Sequence, residues 1–209
     1  SMLVNQCKTK EMIVHFGKKT IDSVVPIAIN GVNIERVNNF KLLGVVFSSD
    51  LSWDNHVQYM LGKAAKRIYC ILYLVRARVN QADIVIVYCS LIRSILEYAC
   101  PVWHPGLSKK QSSDIEKVQK RCLKLIYPTL SYNEALKEAH LETLSDRRKK
   151  QTQKLFQEMK RPDHPLHELL PLRDEGTRTT RVTYPYLIPV AKPTRYGRGF
   201  IPYCISRRY

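Results

Sequence analysis

Acidic residues are scarce in this sequence. Only 18 Asp and Glu stand against 34 Lys and Arg, a formal net charge of +16 over 209 residues. That imbalance disfavours a basic partner and favours a polyanion: RNA, DNA or an anionic membrane surface. Catalytic signatures are missing too. There is no Asp-Asp pair, no Gly-rich phosphate loop, no HExxH and no GxSxG, so no residue set for phosphoryl transfer, zinc proteolysis or serine hydrolysis is on offer. The six cysteines form no CxxC pair and no zinc-finger spacing, which predicts a reduced, intracellular protein, nuclear or cytoplasmic. No signal peptide is expected. The longest apolar stretch, near residues 84–99, is interrupted by Ser90, Arg93, Ser94 and Glu97, so no bilayer-spanning segment is expected. His164 and His167 lie beside Asp163 and Glu168. Without a third soft ligand at matching spacing they read as a Pro-flanked turn, and no metal site is expected.

Apolar residues make up 44% of the chain, enough for one sizeable domain or two small ones. The patterning predicts an α+β, mostly α fold. A small antiparallel β element (about 9–47) packs on a helical bundle and is followed by an extended basic C-terminal tail. Residues 9–16 read as a strand, and Asn30-Gly31 as a two-residue hairpin turn. Residues 40–47 read as a mostly buried strand, with Gly44 marking a bulge or close approach. Ser48, Ser49 and Asp50 supply turn chemistry, and Asp54 suits a helix cap.

Helix one is predicted over 54–75, with Val57, Met60, Leu61, Ala64, Ile68, Ile71, Leu72 and Val75 on one stripe. Helix two, 81–98, is apolar nearly all round and is expected at the bundle's centre. Residues 99–106, with two prolines, read as a loop. Helix three starts near Ser113, whose spacing to Glu116 suits a capping box, and ends at Pro128. Ser131 and Glu134 suit a second box. A further helix runs from about 142 to 160, and residues 171–199 read as extended or irregular. Three segments result: 1–53, 54–130 and 131–209.

Basic residues recur at helical spacing. Lys63, Lys66 and Arg67 fall on helix one. Lys117, Lys120, Arg121 and Lys124 fall on helix three. Arg147, Arg148, Lys149 and Lys150 form a run on the last helix. Each could be a solvated face or could track a phosphate backbone, and three runs on successive helices favour the second reading. The tail sets Arg178, Arg181, Arg195, Arg198, Arg207 and Arg208 beside Tyr184, Tyr186, Tyr196, Phe200 and Tyr203. Such aromatics either stack on unpaired bases or dock on the helices.

F-K-L-L-G-V (Phe40 to Val45), followed by L-S-W-D-N-H-V (Leu51 to Val57), resembles non-LTR (LINE-type) retrotransposon reverse transcriptases. So do Val4 to Val14, Ile95 to Trp103, Ile115 to Lys124 and Arg195 to Ile205, in that order. The resemblance implies the palm end, thumb and C-terminal region of an RNA-directed DNA polymerase. It implies a primer-grip-like role for Phe40, Lys41, Leu42, Leu43, Gly44 and Val45, with helix one along the template–primer duplex. The family's [YF]-x-D-D loop, which binds two divalent metals, would lie upstream. The chain is therefore expected to be a piece of a longer protein and inactive alone. No cofactor is expected in it, and Mg2+ is expected only for the full-length polymerase. The implied partners are an RNA or RNA–DNA duplex and the missing N-terminal palm and fingers. Phosphate contacts through Lys63, Lys66, Arg67, Lys117, Lys120, Arg121, Lys124, Arg147, Arg148, Lys149, Lys150, Arg195 and Arg198 would hold the duplex.

A second reading, from a different class, is a degenerate or repurposed remnant acting as a protein-interaction scaffold. A basic peripheral membrane binder is disfavoured, because no predicted helix pairs a Trp/Phe-rich face with a basic one.

Overall fold

The structure is a computed structural model that describes residues 4–15, 24–172, 186 and 197–206. It is α+β and mostly helical, with a few short strands in two-stranded sheets. The chain divides into two compact units, Ser1–Tyr59 and Met60–Tyr209, and the division falls within the first long helix.

In the N-terminal unit the strands are β1 (Lys10–Glu11), β2 (Ala28–Ile29), β3 (Val32–Asn33), β4 (Glu35–Arg36), β5 (Asn39–Leu42) and β6 (Val45–Ser48). Strands β2 and β3 form the expected hairpin, with Asn30 and Gly31 both at positive φ (50° and 77°). That is the turn whose twist matches the flanking strands.

The segment expected as one mostly buried strand over 40–47 is instead a second hairpin. Leu42 pairs with Val45, so Leu43 (φ 46°) and Gly44 (φ 86°) are a two-residue turn. Gly44 enters this region at no steric cost; Leu43 enters it at about 1 kcal/mol. All of β5 is exposed, and only Val45 and Ser48 of β6 are buried.

The strand expected over 9–16 is also corrected. Within 9–15 only Lys10 and Glu11 pair, and they pair parallel to β4, not antiparallel. Side chains fix that register: Lys10 bonds Glu35, and Arg36 bonds the mostly buried Glu11 at 3.2 Å. Phe16 lies outside the described residues.

Helix α1 (Asp54–Arg76) starts where the sequence predicts. Its first turn is fastened to the second hairpin. Asn55 donates to Asn39 (2.7 Å) and Ser48 (3.1 Å). The buried His56 accepts from the backbone N–H of Val46 at 3.3 Å. Trp53 lies between Phe47 and His56, with ring centroids 5.8 and 6.1 Å away.

In the C-terminal unit Met60, Ala64, Ile68 and Ile71 form the buried stripe of α1, at the spacing of one helical face. Helix α2 (Gln81–Tyr88) passes through a π turn (Cys89–Arg93) into α3 (Ser94–Glu97). The N–H of Ser94 bonds the carbonyl of Cys89, five residues back. This path has one buried face, Ile84, Val85, Tyr88, Ile92 and Leu96, while Ile86 is 65% exposed. The expectation of a fully central helix is therefore corrected.

Residues 99–106 are not a loop. Ala99 takes a left-handed conformation (φ 50°), and a new helical turn, α4 (Cys100–Trp103), starts at once with Pro101 in its first turn. A 3-10 turn follows at His104–Gly106. Proline here opens a helix, because the first-turn N–H groups have no intrahelical acceptor to lose. By length and composition alone Gln81–Gly106 is long and apolar enough to cross a membrane, and its residues Ile84, Tyr88, Ile92, Leu96, Cys100 and Trp103 are buried in the core.

Helix α5 (Lys109–Ile126) starts four residues before the predicted Ser113. Its capping box is Ser108 with Gln111. Glu116 does other work: its carboxylate accepts from the N–H groups of Leu144 (3.2 Å) and Ser145 (3.3 Å), the open N-terminus of α7 (Leu144–Met159). It also takes the Tyr132 hydroxyl. Beside it, Gln119 is fully buried, accepting from Tyr88 (2.7 Å) and donating to Tyr132 (2.9 Å) and the Glu142 carbonyl (3.0 Å). Helix α6 (Tyr132–Glu138) carries the predicted Ser131–Glu134 box. Helix α8 (Phe200–Ser206) packs on α7, where Phe156, Tyr186 and Ile205 are buried together.

Candidate nucleic-acid interface

Three consecutive-helix runs of positive charge were expected to be one kind of surface. The fold treats them differently.

On α5 the stripe holds. Residues 117, 120, 121 and 124 follow i, i+3, i+4, i+7 and share one face. Lys117, Lys120, Arg121 and Lys124 are all exposed, while Ile115, Gln119, Cys122, Leu123 and Ile126 occupy the opposite, buried side. Two of the four have local partners: Lys117 bonds Asp114 at 2.7 Å, and Lys124 donates to the Pro128 carbonyl at 2.7 Å. Lys120 sits over the Tyr132 ring, 5.0 Å from its centroid.

On α1, Lys63, Lys66 and Arg67 are exposed. Two residues that the sequence reading passed over share this outward face. Tyr69 is 66% exposed and Tyr73 is 63% exposed. They follow Lys66 at i+3 and i+7, a spacing readable from the sequence.

On α7 the run breaks up, and this is a correction. Four consecutive helical residues point in four directions, about 100° apart. Arg147 makes a two-pronged ion pair with Glu97 (2.6 and 3.0 Å), and that hydrogen-bonded carboxylate raises the guanidinium's pKa. Lys150 pairs with Glu142, and Lys149 is half-buried. Arg148 is fully buried, with one nitrogen donating to Ser112 (3.2 Å) and the guanidinium 5.8 Å from the Trp103 ring centroid. Burial pushes its pKa down. Arg148 is a core residue and cannot meet a phosphate in this fold.

The primer-grip-like segment is an exposed hairpin tip. Leu42 and Leu43 are 52% and 84% exposed, and Phe40 is 37% exposed. Lys41 donates to the Tyr59 hydroxyl at 2.6 Å and lies over its ring. Gly44 is half-buried and Val45 buried.

In the tail, Tyr186 and Phe200 pack edge-on against Phe156, each 6.3 Å away, and the Tyr203 hydroxyl lies 3.3 Å from the His104 imidazole. These three dock on helices. Arg198 is exposed. Arg178, Arg181, Arg195, Arg207, Arg208, Tyr184 and Tyr196 lie outside the described residues. His164 accepts the Leu166 N–H at 3.2 Å, and the His167 ring meets the Met159 carbonyl at 2.9 Å. The described residues contain no group of three or more candidate metal ligands.

No protein-family model, no curated protein and no solved structure matches the chain.

Proposed function

We propose that this chain grips a nucleic-acid duplex through its phosphates, as the palm-end, thumb and C-terminal part of a LINE-type reverse transcriptase whose catalytic loop lies outside it. One observation carries the reading. The exposed face of α5 presents Lys117, Lys120, Arg121 and Lys124 along one line, directly opposite its buried stripe. Over seven residues that line is about 10 Å long, the scale of a few backbone phosphates. Lysines there act as point charges, and Arg121 can bind a phosphate with two parallel hydrogen bonds. Such contacts fix position without reading sequence.

The test is the salt dependence of binding to an RNA–DNA duplex. Affinity should fall steeply with salt. Replacing the four side chains by Ala should flatten the log–log slope by about one unit per lost contact. Lys120 and Arg121 set the lower bound at about two units, because Lys117 and Lys124 already have local partners. No binding at low salt, or an unchanged slope, would refute the proposal.

The scaffold reading keeps one observation of its own. In the N-terminal unit Val25, Ile27, Val32, Leu42 and Leu43 are all more than half exposed. Exposed apolar residues mark an interaction site where they form one contiguous patch. A stable oligomer without nucleic-acid affinity would favour it.

A further inference from the structure

We propose that the outward face of α1 binds single-stranded nucleic acid, with bases stacking on Tyr69 and Tyr73. The inference rests on the nucleic-acid reading above and adds a second, distinct site to it.

Charge comes first. Between Asp54 and Asp83 the chain contains no acidic residue, yet it carries Lys63, Lys66, Arg67, Arg76 and Arg78. Helix α5 interleaves its cations with Asp114 and Glu116, and α7 neutralises its own with Glu97 and Glu142. The sequence thus sets five cations and no carboxylate between Asp54 and Asp83, on α1 and just beyond it. A polyanion complements that charge, and an ordinary protein face does not.

The aromatics come second. Tyr69 and Tyr73 are one helical turn apart, about 6 Å along the axis. Both are about two-thirds exposed, so neither ring contributes much to a core. Lys66 lies one turn before the first and Arg76 one turn after the second. The order is therefore cation, ring, ring, cation along one face. Stacking platforms for single strands combine these two elements: rings for the bases and cations for the backbone. A duplex keeps its base faces stacked inside and offers the rings only sugar and phosphate. A membrane face would want Trp, Phe or Leu beside the cations, whereas this face offers two hydroxylated rings.

A third feature favours close approach. Gly62 lies on the same outward side, and a Cβ built there meets nothing within 4 Å. The helix is bare at that point, and a strand can lie against its backbone.

The test uses the full chain and fluorescence anisotropy with two labelled probes, an oligouridine and an RNA–DNA duplex. Both tyrosines are exposed, so their replacement leaves the core intact. Tyr69→Ala with Tyr73→Ala should weaken oligouridine binding at least about 20-fold, the lower end for two stacked bases. Duplex binding should change less than about threefold, and Tyr69→Phe with Tyr73→Phe should keep single-strand affinity, because the ring and not the hydroxyl stacks. Equal losses on both probes, or no loss on either, would overturn the inference. So would a change of oligomeric state in light scattering without a change in affinity, which would make the face a protein contact. A wild-type chain that binds the duplex but not the oligouridine would sink this inference alone. One that binds neither would sink the proposed function with it.

Discussion

Replacing Arg148 with methionine should make this protein more stable. The guanidinium is fully buried. It gives one hydrogen bond to Ser112 and lies against Trp103, while Nε and Nη1 have no hydrogen-bond partner among the described residues. Among the described residues no carboxylate forms an ion pair with it, and Glu116 and Glu97 attract it only at longer range. Glu97 is held by Arg147 and Gln151, and Glu116 by Tyr132 and the start of α7. Desolvating a cation costs several kcal/mol even after relaxation. Against that stand a charge-assisted hydrogen bond of about 1.5–3 kcal/mol and a desolvated cation–π contact of about 2 kcal/mol. The two unpaired N–H groups are part of the desolvation cost and have no bond to offset it. Methionine fills most of the same volume with a flexible apolar chain and removes every polar term. The expected gain is about 1–3 kcal/mol, within the range seen when buried charges become apolar. Urea unfolding followed by near-UV circular dichroism reads it as a higher midpoint at unchanged slope. Arg148→Ala is the control: it removes the charge but leaves a cavity, and should lose stability. If the methionine variant also loses 2 kcal/mol or more, the balance drawn here is wrong and the guanidinium is a net stabiliser.

Three further outcomes are expected. Glu97→Gln should cost about 1–3 kcal/mol, because the half-buried Arg147 loses its carboxylate; a melting temperature within a degree of wild type would contradict it. Burial holds the His56 imidazole below its ordinary value of 6.5. The unfolded chain therefore takes up this proton first, and the contribution of His56 is full above about pH 6.5 and declines as pH falls below it. Protonation would also aim a hydrogen at the Val46 N–H. Melts at pH 7.5 and 5.5 should diverge less for His56→Gln than for wild type; equal divergence would refute the role. Ala99→Gly should gain about 0.5–1 kcal/mol by removing the Cβ penalty at φ 50°, read as a higher melting temperature, and a loss would argue against strain there.

The parts of the fold legible in the sequence are those where one local rule decides. The stripe of α1, the Ser131–Glu134 box and the Asn30-Gly31 turn each follow from spacing and residue type. Reading failed where two local rules competed. Ser113–Glu116 has the spacing of a capping box, but Ser108–Gln111 starts α5, and Glu116 is drawn to a helix end 28 residues away. Pro101 and Pro105 looked like breakers, yet proline is tolerated where a helix begins. Leu43-Gly44 was hidden because leucine rarely enters the left-handed region, so no turn signal preceded the glycine. At the candidate interface the α5 stripe was legible because its spacing matches the helix. The 147–150 run misled because adjacency in sequence is not adjacency on a helix. Tyr69 and Tyr73 carry no signal of their own, because an aromatic at helical spacing suits a buried face as well as an exposed one.

The π turn at Cys89–Arg93 bears on how this chain tolerates changes of length. The buried residues Tyr88, Ile92 and Leu96 are spaced by four, more than the 3.6 of a regular helix. The wider turn absorbs the surplus and keeps all three pointing inward. Deleting the exposed Ser90 would leave spacings of three and four, which a regular helix accommodates without help. The segment thus has the form of an ordinary helix that has accepted one inserted residue. Loss of that residue should be survivable, while loss of one from α5, which has no such slack, should turn half its core face to solvent.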